Sequence, residues 1–282
     1  MENGNKELEL KLHRLTLAYA QELPTKIQEI GADWLALKSS WQSVLAEEVY
    51  RTVHSLSGSS GSYGAMNVHP LARKLENVIL AIIRAERAPS RKEIMEVDDL
   101  VDKVSEAANL WVSDTLASGR MKEFPGSQQA LIDNNTASSV NEGPYIPPQE
   151  EESRLKKYRM LYIEDNRANL SLVKQLVHVH WPNAELSGAE DPVTGLALIK
   201  SYPFDLVLLD INLPHMSGFQ VLARIRENEE TRSLPVVAVS ANAMPSDIQA
   251  GREAGFDEYI TKPIQIDSFF KTIDQILLNK MG

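Results

Sequence analysis

The sequence predicts two domains of different class, an all-α helical bundle over residues 1–118 and an α/β doubly wound domain of five parallel strands over 155–282, joined by a flexible linker at 119–154. Three observations predict this. Before residue 118 apolar residues recur at alternating steps of three and four, the period of a helix that buries one face. After residue 155 short runs rich in Val, Ile and Leu alternate with amphipathic stretches, as in a parallel sheet covered on both sides. Between the two, FPGSQQ and NNTASSVNEGPYIPPQEEE lose all periodicity and collect Gly, Pro, Ser and Asn.

The helical stripes run Leu8, Leu12, Leu15, Tyr19; Ile27, Ile30, Trp34, Leu37; Leu45, Val49, Val53, Leu56; Val68, Leu71, Leu75, Val78, Ile82; and Ile94, Val97, Val101, Val104, Ala108, Trp111. They predict an antiparallel bundle. The linker residues, treated as a flexible chain, span about 30 to 36 Å, which lets either domain visit the other's surface. In the C-terminal domain the strands are MLYI, AELSG, FDLVLLD, PVVAVS and DEYI. Helices start from Asn166, from the cap and first-turn proline Asp191-Pro192, from Ser217, from Pro245 and from Gln265.

Composition narrows the function classes. The chain has 282 residues, long enough for two cores, and its net charge of -10 argues against an electrostatic grip on nucleic acid or anionic membrane. Its longest apolar stretches, VILAII and LVLL, are too short to cross a bilayer, and the N-terminus lacks a basic start followed by an apolar run. No membrane insertion, no direct nucleic acid binding and a cytoplasmic location are expected. With no cysteine, any metal must be held by oxygen or imidazole.

Doubly wound sheets bind ligands at the carboxyl ends of their strands. Glu164 and Asp165 follow the first strand here, Asp210 ends the third, Ser240 ends the fourth, and Lys262 closely follows the fifth. Three carboxylates at one sheet edge repel one another unless a cation sits among them, and a hard divalent ion, Mg²⁺ (or Mn²⁺), suits Asp165 and Asp210 as direct ligands with Glu164 through water. Phosphoryl transfer to a carboxylate needs an in-line nucleophile and neutralised equatorial oxygens. Asp210 is the candidate nucleophile, with Lys262 and Ser240 positioned to contact the phosphoryl oxygens.

LYIEDN, VLLDINLPHMSGF, AVSANA and YITKP together resemble the signature segments of the response-regulator receiver family, across the whole C-terminal domain. The resemblance implies a flavodoxin-like fold, with Asp210 as phosphoacceptor, Glu164 and Asp165 as the acidic pair, Ser240 as switch hydroxyl, Tyr259 as switch aromatic, Lys262 as the active-site lysine and Asn212 offering its backbone carbonyl to the metal. It also implies that phosphorylation draws Ser240 inward, lets Tyr259 follow, and remodels the face formed by the domain's fourth helix, fifth strand and fifth helix.

In the helical domain the stripe through Leu45, Val53, Leu56, Ser60 and Tyr63 places Tyr50, His54, Ser57, Gly58 and Gly61 on the adjacent stripe, expected to face solvent. Glycine costs about 1 kcal/mol against alanine inside a helix, so this stripe reads as a surface cleared for another protein to approach His54. The segment resembles the histidine-phosphotransfer (Hpt) family: His54, Leu56, Gly58, Ser59, Ser60 and Gly64 meet its pattern, and ARKLE fits its following helix. One departure is that the family's lysine, three residues after the histidine, is Ser57 here.

The expected function is a phosphorelay protein without an independent catalytic domain. Asp210 and His54 carry phosphate, a sensor histidine kinase or hybrid kinase receiver lies upstream, and a downstream effector protein reads the state by contact. Two alternatives stand beside it: a helical domain that only docks a partner, and a chain that regulates a larger output enzyme such as a nucleotide cyclase. A histidine kinase is excluded by the lack of a Gly-rich nucleotide-binding segment, and a transcription factor by the lack of a DNA-binding helix pair after the fifth receiver helix. His13, His69, His178, His180 and His215 read as surface or packing residues.

Overall fold

A computed structural model of the chain describes residues 2–118, 157–241 and 244–279. The expected linker lies outside the described residues. The chain divides into two compact units, a helical one of Glu9–Lys122 and one of Met1–Leu8 with Glu123–Gly282, which carries the sheet.

The helical unit holds α1 (Glu2–Ser39), α2 (Ser43–Ser62), α3 (His69–Arg84) and α4 (Arg91–Ser118). The first two apolar stripes share one continuous helix, since α1 runs through Pro24. Neighbours are antiparallel by their contacts: Trp34 Nε1 and Lys38 Nζ donate to Asp98 Oδ1 at 2.7 and 2.8 Å, whereas Tyr19 meets Trp111 edge-on at the other end of α1 and α4. Tyr19 also stacks on Tyr63 at 4.5 Å and shares a 3.0 Å hydrogen bond with Ser59. This ties the C-terminal half of α2 to α1. Trp111 Nε1 closes the ring of contacts by donating to the carbonyl of Gly64, whose φ of 74° ends α2 in the left-handed region that glycine tolerates best.

The α/β unit alternates β1 (Arg159–Ile163), α5 (Arg167–His180), β2 (Glu185–Ala189), α6 (Pro192–Ser201), β3 (Leu206–Asp210), α7 (Gly218–Glu227), β4 (Val236–Ser240), α8 (Pro245–Ala254), β5 (Glu258–Thr261) and α9 (Ile266–Asn279). All five strands are parallel, in the order β2-β1-β3-β4-β5. Strands β3 and β4 are buried at every position, as their unbroken apolar runs require.

Caps at the carboxyl edge of the sheet orient the helices. The Asn166 side chain accepts from the amides of Ala168 and Asn169, Asp191 accepts from Thr194, and Ser217 with Gln220 forms a reciprocal capping box. Two glycines permit close packing beside the strand ends. A Cβ on Gly195 would lie 2.4 Å from Ile163 Cδ1, and one on Gly218 would lie 2.5 Å from the Asp210 carbonyl oxygen. At Gly218 the obstacle is backbone and cannot rotate away. Gly218→Ala is therefore expected to destabilise the α/β unit by about 1–3 kcal/mol in urea unfolding, the usual cost of overpacking; an unchanged midpoint would contradict this packing.

Candidate functional site

The strand order places β1 beside β3, β3 beside β4 and β4 beside β5, so residues just past their C-terminal ends share one edge. Glu164, Asp165 and Asp210 each present a carboxylate oxygen within 4.8 Å of the others. Lys262 Nζ lies between two of them, donating to Glu164 Oε2 at 2.6 Å and to Asp210 Oδ2 at 2.7 Å. Glu164, Asp210 and Lys262 are all buried, whereas Asp165 is partly exposed. The other oxygen of Asp210, Oδ1, accepts from the amide of Asn212 at 3.0 Å.

Glu164 is held more firmly than the sequence suggests. Tyr162 lies two residues earlier on β1, so its side chain projects from the same face of the strand and its hydroxyl donates to Glu164 Oε2. Asn169 Nδ2, one turn into α5, donates to Oε1 at 3.0 Å. Neither Tyr162 nor Asn169 stands out in the sequence as a site residue; the EDN segment followed by a second Asn at 169 is the only local sign.

Three carboxylates against one ammonium leave two net negative charges when all are ionised. Burial raises the Glu164 carboxyl, Lys262 opposes it and Asp210 adds to it, leaving the pKa at about 7. Burial also works against the Lys262 ammonium, but Asp210 and Glu164 more than offset it and hold its pKa above the ordinary lysine value. A small, oxygen-rich, partly open cluster with excess negative charge fits a hard divalent cation. Glu164 Oε2 already accepts from two donors, so only Oε1 retains capacity for a further hydrogen bond.

Ser240 is fully buried at the end of β4, and its carbonyl accepts from the Lys262 amide at 2.7 Å. Burial raises the Tyr259 phenol and a hydrogen bond with Ser240 lowers it, with the net shift upward. Tyr259 is half-buried, with its phenol against the Ser240 hydroxyl. Its ring lies opposite Gly251 of α8, where a Cβ would approach Tyr259 Cδ2 and Cε2 to 3.1 and 3.2 Å.

His54 belongs to the helical unit, and here the structure corrects the expected exposure. His54 is 5% exposed, and Ser57, Gly58 and Gly61 are buried along with nearly every residue from Val53 to Tyr63. The stripe does not face open solvent. Helix α3 covers it: His54 Nδ1 lies 2.7 Å from Glu76 Oε1, and His69 Nδ1 lies 2.7 Å from the Ser57 carbonyl. Tyr19 of α1 and His69 and Glu76 of α3 meet this half of α2, whose small residues let them approach.

Glu76, last residue of ARKLE, is the partner that sequence spacing left unassigned. Burial alone would raise its carboxyl, but the hydrogen bond from His54 and the neighbouring cation Arg73 more than offset this and hold it below the ordinary range. Glu76 is therefore a carboxylate at neutral pH and can only accept. His54 Nδ1 then carries the proton, and in the neutral ring the lone pair is on Nε2. Tyr50 stacks beside the imidazole, with ring centroids 5.9 Å apart.

Comparison with known proteins covers both units. The response regulator receiver domain model matches residues 160–274, and the Hpt domain model matches residues 14–107. Among curated proteins, the polar-differentiation response regulator DivK of Brucella ovis is 35% identical over 118 residues, 42% of this chain and 94% of that protein. The same regulator of Brucella anthropi is 34% identical over the same shares. Among solved structures, a CheY-like response regulator receiver domain protein from Methanospirillum hungatei JF-1 is 28% identical, covering 45% of this chain and 100% of its own, with a TM-score of 0.41. The receiver domain of sensor histidine kinase PA1611 from Pseudomonas aeruginosa PAO1, solved with a magnesium ion coordinated in its active site cleft, is 22% identical over 43% of this chain and 98% of that one, with a TM-score of 0.40. With a complete receiver match on one unit and an Hpt match on the other, the chain belongs to the response regulator family of two-component phosphorelay proteins and joins a receiver domain to an Hpt domain.

Proposed function

We propose that the receiver accepts a phosphoryl group on Asp210 and that His54 exchanges phosphate with a receiver, so that the chain carries signal by phosphoryl transfer and protein contact. The Lys262 bridge between Glu164 and Asp210 carries the first half of this reading. Attack by an Asp210 carboxylate oxygen forms the new P–O bond while the donor's bond to phosphorus breaks and its electron pair leaves with the donor. Lys262 can follow the phosphoryl oxygens without leaving Glu164, and the Asn212 amide steadies Asp210 Oδ1. Asp165 and Asp210, with Glu164 through water and the Asn212 carbonyl, would hold Mg²⁺ (or Mn²⁺). The ion would neutralise charge on the transferring group.

Ser240 and Tyr259 supply the output. A phosphoryl oxygen competes with Tyr259 for the Ser240 hydroxyl, and moving Ser240 alters the seat of the Tyr259 ring against α8. That face would be read by a downstream effector, with a sensor histidine kinase or hybrid kinase receiver on the supplying side. Among the described residues no helix is long and apolar enough to cross a membrane.

The test is site-resolved mass spectrometry after incubation with Mg²⁺ and acetyl phosphate, using the wild type, Asp210→Ala and His54→Gln. Label on Asp210, followed by label on His54 only when Asp210 is present, is the expected result. Label on Asp210 alone would make the helical unit a docking module, and an unlabelled Asp210 would overturn the receiver mechanism.

Glu76 gives a separate expectation. Its folded pKa is depressed, so its stabilising contribution is present above the unfolded value of about 4.3 and is lost as pH falls through the folded value. Thermal unfolding of the helical unit across that acid range should decline more steeply in the wild type than in Glu76→Gln; equal slopes would mean the carboxylate is not coupled to the fold.

A further inference from the structure

With His54 as the transfer site proposed above, the charge beside it has to be balanced. Phosphorylating Nε2 would place about two negative charges next to the already ionised Glu76. In the Hpt pattern a lysine three residues on supplies a cation; position 57 holds Ser instead, fully buried, whose hydroxyl is close enough to Glu76 to help keep that carboxyl ionised but carries no charge. That turn of α2 offers no positive charge.

A cation reaches the same carboxylate from α3. Arg73 Nη1 lies 3.3 Å from Glu76 Oε2, while Oε1 of that carboxylate holds His54 Nδ1 at 2.7 Å. The Arg73 side chain is 27% exposed, so its guanidinium meets both the buried dyad and the outside, where a phosphoryl group would arrive. Arg84, eleven residues further on, returns to the same face of α3 after three turns. The Tyr50 ring stacks beside His54, and its phenol is pushed up to about 12 by burial and by Glu76, with Arg73 and Arg84 opposing that shift.

We propose that Arg73 is the phosphoryl-neutralising residue of the Hpt unit, taking from α3 the task that a lysine at position 57 would perform from α2. In transfer from a receiver, the P–O bond to the aspartate breaks, the carboxylate leaves with the electron pair, and the P–Nε2 bond forms, while the Nδ1 proton stays with the Glu76 hydrogen bond. Arg73 has donors for a phosphoryl oxygen as well as for Glu76 Oε2, because a guanidinium carries five N–H groups in a fixed fork. It can therefore bind the product without releasing the carboxylate that fixes the imidazole.

The experiment uses the full-length chain carrying Asp210→Ala, so that label is confined to histidine, and phosphoramidate as a small donor that phosphorylates imidazole. Phosphohistidine at position 54 is followed by mass spectrometry for its rate of formation and its decay. Arg73→Ala should slow formation by about tenfold or more, the scale of one lost charge-assisted contact, while Arg73→Lys retains most of the rate. Adding Ser57→Lys to Arg73→Ala should restore it. ¹⁵N chemical shifts of the His54 ring, unchanged in Arg73→Ala, would separate loss of charge from collapse of the dyad. An Arg73→Ala rate equal to that of the parent overturns this assignment and leaves transfer through His54 standing. A loss that neither lysine restores, with altered ring shifts, also overturns it by making Arg73 a mere prop for Glu76. If the parent's His54 takes no label while free imidazole does, the transfer reading falls and this assignment falls with it.

Discussion

The Lys262 ammonium is enclosed between the carboxylates of Glu164 and Asp210, and the carboxyl edge of the sheet is organised around that contact. Removing one partner of a buried ion pair typically costs about 3–5 kcal/mol because the remaining charge is stranded. Here two carboxylates would be stranded by the loss of one ammonium. The parallel order β2-β1-β3-β4-β5 delivers the three residues to one edge, Gly218 lets α7 pack on the carbonyl of Asp210, and Tyr162 and Asn169 fix Glu164 from beneath and beside. The cluster remains over-supplied with negative charge. That imbalance suits a hard cation.

The helical unit meets a related demand with different atoms. Glu76 lies between an imidazole and a guanidinium, one carboxylate oxygen for each, and this fixes which ring nitrogen keeps its proton. A buried histidine with a fixed tautomer is a better-defined acceptor than an exposed one that samples both. In each unit a carboxylate positions a second group rather than acting alone, Glu164 holding Lys262 and Glu76 holding His54. The proposed relay moves phosphate between an oxygen and a nitrogen nucleophile, and each is prepared by a neighbour of opposite chemistry.

Much of this was legible in the sequence because it is local or periodic. The five strands fall on MLYI, AELSG, FDLVLLD, PVVAVS and DEYI, and the caps Asn166, Asp191 and Ser217 begin their helices as their side chains dictate. Less legible was the polarity of small-residue faces. Gly58 and Gly61 beside His54 fit equally well a surface cleared for a partner and one packed beneath a neighbouring helix, and only tertiary contact from α3 decides between them. Pairings between distant residues were also hidden, such as His54 with Glu76 across 22 residues and Lys262 with Glu164 across 98. Tyr162 reads as one more apolar strand residue until its hydroxyl is seen to meet Glu164, and Pro24 gives no outward sign that α1 continues through it.

The central claim, that the carboxylate cluster is built to take a divalent cation beside the phosphoryl-accepting aspartate, is tested most directly by isothermal titration of the full-length chain with MgCl₂. One saturable site is predicted, lost in Asp165→Asn while thermal unfolding of the α/β unit stays intact, since Asp165 is the partly exposed member of the cluster. Absence of binding to the wild type, or binding that survives Asp165→Asn undiminished, would contradict the account.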